Sequence, residues 1–138
     1  MCDKDIRSFK EEMTFNDFVK LSEIAKKCHE ANNKLLIDNG KEPLPDWDNL
    51  DRNQRFINIK SVRRIVDNPT IITPEEIHDE WVKNKRRDGW VYDEVKDDEK
   101  KTHPLLVDFN EMSEFDKEKD IIFIKTVLDN IGNKYESN

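Results

Sequence analysis

Trp81, Trp90 and Tyr92 fall within twelve residues and are interleaved with Lys83, Lys85, Arg86, Arg87, Lys96, Lys100 and Lys101. Aromatic faces beside cations can hold a flat anionic ligand, the base stacking on a ring while the cations meet phosphate. A plainer reading makes Trp81 a helix-core residue and Trp90 and Tyr92 loop anchors. The cations are then solvated, or paired with Asp88, Asp93, Glu94, Asp97, Asp98 and Glu99. His103-Pro104 closes the segment. Proline holds the preceding residue extended, and the imidazole either donates to a backbone carbonyl, locking the loop, or donates to a ligand. Trp47, after Pro45, reads as a lid over the junction of the first three helices or as another pocket wall.

Other catalytic chemistry finds little support. There is no GxGxxG or GxxxxGK[ST] loop, and three glycines in the whole chain leave little for a phosphate-cradling turn. His29, His78 and His103 form no HExxH and no i, i+4 pair, so neither a metal nor another cofactor is expected. Cys28 and His29 are sequence neighbours and point about 100° apart on a helix, which prevents them from acting as nucleophile and base. They read as a core thiol and a helix-surface imidazole.

These residues must be positioned by a mainly α fold of about four helices, with a short two-stranded β element between the third and fourth. Residues 1–13 read as a polar arm, and residues 14–138 as a single domain. Phe18, Leu21, Ile24, Ala25, Cys28, Ala31 and Leu35 recur at helical spacing, and Gly40 supplies a stop. Pro43 and Pro45 mark a connector. A second helix is expected over about 48–67, ended by Asn68-Pro69. Thr73-Pro74-Glu75-Glu76 is a capping-box start for a third, through Ile77, Trp81 and Val82 to Arg87, with Gly89 as its left-handed terminator. Trp90-Val91-Tyr92 and Leu105-Leu106-Val107 are the two extended pieces. The last helix begins at Ser113, carries Ile121, Ile124, Val127, Leu128 and Ile131, and is expected to end at Gly132.

The 138 residues suit one compact domain. Charged residues reach 40% against 35% hydrophobic, with mean hydropathy -0.95. Leu, Ile, Val and Phe together still make about 26%, above the roughly 20% below which highly charged chains stay unfolded. The net charge is -7, and all of it lies in residues 71–138, since 1–70 carry 13 basic and 13 acidic side chains. A sequence pI near 5.1 argues against general nucleic-acid binding and leaves room for a small basic pocket. No apolar run approaches a membrane span, and the first residues lack a signal-peptide stretch. With Cys2 and Cys28 in no redox or metal spacing, a reduced, cytoplasmic protein is expected.

Ile77-His78-Asp79-Glu80-Trp81, Gly89-Trp90-Val91-Tyr92, and the run from Val95 through Asp98, Lys101, His103-Pro104 and Val107 together resemble the ryanodine-receptor repeat, the RyR domain. The family pattern is in effect H-x-x-W, G-W-x-Y-G and D-x-x-K-x-H-P followed by a helix. The likeness covers about residues 72–131. The preceding half, with Cys28-His29-Glu30, Pro45-Asp46-Trp47 and Asn68-Pro69, resembles the extension of stand-alone bacterial and phage members. Asp93 departs from the pattern, which usually has Gly after the Tyr.

The resemblance implies a helical module with a short β element. In the calcium-release channels such repeats are peripheral cytoplasmic modules. Paired repeats there hold a nucleotide or a drug-like aromatic molecule between tryptophans. By motif, the stacking Trp corresponds to Trp81 and the phosphate-facing position to Lys96; a homodimer would supply the second half of such a site.

The function expected is therefore non-enzymatic binding of a nucleotide or nucleotide-derived signal. Trp81 stacks, with Trp90 or Tyr92 helping. Lys96, with Arg86 or Lys101, meets phosphate, and His103 orders the loop or donates a hydrogen bond. The alternative is a protein-interaction or structural accessory module that uses the acidic 108–120 face. A nucleotide hydrolase would need a metal cluster or nucleophile that the residues do not assemble.

Overall fold

The computed structural model describes residues 15–70 and 72–136; the expected polar arm lies outside them, and so does Cys2. Four helices form: α1 Phe15–Asp38, α2 Arg52–Asp67, α3 Pro74–Arg87 and α4 Glu114–Glu136. Between α3 and α4 lie β1 Val91–Tyr92 and β2 Thr102–His103, paired in parallel with Val91 opposite Thr102 and Tyr92 opposite His103.

Helix ends follow the local signals closely. Gly40 takes φ +71, and its N–H reaches the Ile37 carbonyl at 3.0 Å while the Lys41 N–H reaches Leu36 at 2.8 Å. That is a Schellman closure, which a side chain at Gly40 would strain. Thr73 Oγ1 accepts from the Glu76 N–H at 3.2 Å, and Pro74 opens α3 where its missing N–H costs nothing. Ser113 caps α4 in the same way through the Asp116 N–H at 3.2 Å.

One apolar core joins the helices. Leu21, Ala25 and Cys28 of α1 meet Ile59, Val62 and Ile65 of α2, Ile77 of α3, and Phe123, Val127 and Ile131 of α4. The Cys28 thiol donates to the Phe123 carbonyl at 3.6 Å, and burial pushes its pKa up to about 12, as befits a core thiol. His29, in contrast, is no surface imidazole. It is 5% exposed, because its Nε2 lies 2.7 Å from the Pro45 carbonyl and its ring meets Trp47. Asn33 adds two bonds to the same connector, Nδ2 donating to Leu44 O at 3.1 Å and Oδ1 accepting from Leu44 N at 2.9 Å.

Three further expectations are corrected. Residues 48–51 do not begin α2: Trp47–Asn49 is a 3-10 turn capped by Asp46, whose carboxylate accepts from the Asn49 N–H at 3.1 Å. Leu105-Leu106-Val107 is not a strand. Pro104 has no N–H to give a ladder, the chain turns from the His103 carbonyl to the Leu106 N–H, and Leu106 is apolar because it is buried there. Finally, α4 continues through Gly132 to Glu136. A helical glycine costs only about 1 kcal/mol, and Val127 and Ile131 hold that part of α4 against the core.

Candidate functional site

The face of α3 that does not enter the main core carries His78, Trp81 and Lys85 at spacings of three and four, so their side chains follow one another along one stripe. His78 stacks on Trp81, centroids 5.6 Å apart and planes 23° from parallel. Lys85 Nζ lies 5.9 Å from the Trp81 ring centroid. The end of the helix then adds a second indole. Gly89 at φ +94 forms another Schellman closure, its N–H on Arg86 O at 3.0 Å and the Trp90 N–H on Lys85 O at 3.0 Å. That motif places the residue after the glycine against the residue five before it. Trp90 therefore meets Lys85, whose Nζ sits 4.3 Å over the Trp90 ring.

The β element brings His103 to the same place. Its ring lies edge-on to Trp81 at 5.0 Å and tilted to Trp90 at 6.3 Å. The strand position is held by Val91 N–H on Lys101 O at 2.9 Å and by the Asp97–Thr102 bridge. Asp97 Oδ1 also accepts from the N–H groups of Glu99 and Lys100, which fixes the turn. The left-handed residue in this loop is Lys101, at φ 56, and its Nζ donates to Asp88 O at 2.8 Å. Asp93 does not need positive φ, so the departure from glycine there costs nothing in the backbone.

His103 Nδ1 accepts from the Leu105 N–H at 3.1 Å, so the imidazole locks its loop as an acceptor rather than as a donor. The proton then sits on Nε2, which donates to no protein group among the described residues. The ring is neutral: burial first, then Lys96, Lys85 and Lys119, lower its pKa to about 4, against a smaller opposing effect of Asp116. Lys85 is shifted down as well, by burial and then by Lys96, with Asp98 and Asp51 opposing and Lys101 reinforcing. These cations crowd one another around three aromatic rings.

Beneath the rings, His78 is 3% exposed and its Nε2 is 2.8 Å from the Val107 carbonyl. Its Nδ1 faces Asp120 Oδ2 at 3.8 Å. Burial raises the Asp120 pKa to about 7, with Lys119 opposing. Phe109 closes the floor, edge-on to His78 at 6.2 Å.

Trp81, Trp90 and His103 thus come together, with Lys96 and Lys101 on the rim. Arg86 is exposed, about 100° around α3 from Lys85, and Tyr92 is exposed on β1 without a ring contact among the described residues. His78, Lys85, Lys119 and Asp120 are the members not singled out from the sequence as site residues. His78 and Lys85 carried a signal, their i−3 and i+4 spacing from Trp81. Lys119 and Asp120 carried none, since only the packing of α4 against α3 brings them near. Among the described residues no group of His, Cys, Asp and Glu gathers metal-ligating atoms, and no helix is long and apolar enough to cross a membrane. A family model described as the RyR domain matches residues 70–133, which span α3, the β element and α4 up to Asn133.

Proposed function

Residues 70–133 belong to the RyR domain family, and from that premise we propose that the chain is a non-enzymatic module that binds a nucleotide or nucleotide-derived signal. The observation that carries this reading is the half-buried cluster of Trp81, Trp90 and His103 with the Lys85 ammonium 4.3 Å over an indole. Trp81 provides the stacking surface, aided by Trp90. Lys96 and Lys101 meet phosphate at the rim, Lys85 joins them, and the neutral His103 offers its Nε2–H. A second copy of the chain would complete the site with its own Trp81.

Stacking contributes about 1–3 kcal/mol per base, so charge-assisted phosphate contacts must supply most of a micromolar affinity. Titration calorimetry with adenine nucleotides and cyclic dinucleotides tests the reading. The expected result is saturable binding by at least one of them, lost in a Trp81→Ala variant that still folds. Absence of heat with all of them, or unchanged affinity in that variant, overturns it. A protein-interaction reading draws on a different observation: Val91, Tyr92 and Val95 are 57%, 53% and 68% exposed beside one another in the chain. Recovery of one stoichiometric protein partner, abolished by Val95→Asp, would favour it.

A further inference from the structure

Lys85 and Lys96 differ from the other cations around the rings. Lys101 Nζ is tied to the Asp88 carbonyl at 2.8 Å, and Lys119 Nζ is paired with Asp116 at 3.1 Å. Neither Lys85 nor Lys96 has a carboxylate within ion-pair distance among the described residues. Lys85 is held over Trp90 by the helix closure, and Lys96 sits between Val95 and Asp97, both bonded to Thr102, the neighbour of His103. One ammonium group over an indole, a second close enough to act on it and on His103, and one neutral N–H donor therefore share this corner, and neither ammonium is ion-paired with a carboxylate among the described residues.

Resting on the nucleotide reading above, we infer that the site selects a doubly charged terminal phosphate over a singly charged phosphodiester, with Lys85 and Lys96 as the paired contacts. A terminal phosphate carries close to two negative charges above its second pKa near 6, whereas a cyclic diester carries one. The diester offers one charge to two ammonium groups, where Lys96 already raises the cost of charging Lys85. His103 cannot change the count near neutral pH, since it stays uncharged down to about 4. Its Nε2–H adds direction and no charge.

Adenosine, 3′,5′-cyclic AMP and 5′-AMP present the same base with zero, one and two charges. Calorimetry at pH 7.5 should rank them in that order of increasing affinity, 5′-AMP at least tenfold tighter than the cyclic ester. Lys85→Gln and Lys96→Gln, each checked for an unchanged thermal melt, should weaken 5′-AMP by about tenfold and the cyclic ester by less, narrowing the gap. Equal affinity for the two nucleotides, a tighter cyclic ester, or equal losses for both in the variants overturns the inference and leaves the nucleotide reading standing. Binding of no nucleotide at all overturns both.

Discussion

Two buried histidines, His29 and His78, are 5% and 3% exposed, and each sets Nε2 2.7–2.8 Å from a backbone carbonyl of the loop it holds, Pro45 and Val107. Each also packs against a tryptophan, Trp47 and Trp81, with centroids 6.0 and 5.6 Å apart. Their surroundings diverge. At the first, Trp47 is 8% exposed and belongs to the main core, while Asn33 satisfies both backbone groups of Leu44. At the second, Trp81 stays half-buried, a second indole and a neutral imidazole join it, and lysines approach from α3, the β element and α4. A histidine–tryptophan pair is thus a general way to pin a loop. What makes the second one a candidate site is half-buried ring surface next to several lysines.

The largest expected difference between the two is in stability. Trp47→Ala removes a buried indole and should destabilise by about 3–5 kcal/mol, whereas Trp81→Ala should lose less than half of that. Thermal or urea melts of the two variants check it; equal losses would make Trp81 a core residue like Trp47 and erase the distinction.

Asp120 provides a pH test at the second pair. Its folded-state pKa of about 7 lies above the ordinary 3.8, so between these values the folded protein keeps a proton that the unfolded chain has released. This group therefore lowers stability as pH rises from about 4 to about 7, by at most about 4 kcal/mol at roughly 1.36 kcal/mol per pH unit. Asp120→Asn should gain little over the parent at pH 4 and most at pH 8. A variant that instead loses stability at pH 8 would mean that the folded protein stabilises the ionised Asp120 carboxylate beside His78, 3.8 Å away, more than burial penalises it.

The smallest effect belongs to the connector. Asn33→Ala breaks two exposed bonds that water can partly replace, so about 1 kcal/mol is expected. Limited proteolysis should cut the variant faster within residues 41–46 and leave the 93–101 turn, held by Asp97, unchanged. Faster cleavage at both places would show that the two loops are not independently fastened.

Several of these features are legible in the sequence alone. Thr73-Pro74, Gly40 and Gly89 act through bonds within five residues, so their residue types suffice to read them. Trp81, Trp90, Lys96, Lys101 and His103 were likewise visible as aromatics among cations. The misreadings share a physical cause. A short apolar run such as Leu105-Leu106-Val107 looks the same whether it is a strand or a buried turn, and a helical glycine such as Gly132 yields to packing that its own neighbours do not reveal. His29 looked like a surface residue because the carbonyl that buries it lies 16 positions away.

The sequence by itself therefore determined that four helices form, the cap at Thr73, the glycine terminators at Gly40 and Gly89, and the likeness of residues 70–133 to the RyR domain, because each depends on residues close together in the chain. Only the tertiary structure decided which histidine-held tryptophan is a staple and which a site. That choice depends on whether α4 and the β element bring Lys119, Asp120, Lys96 and His103 against α3, and through-space burial and charge have no signature in local spacing.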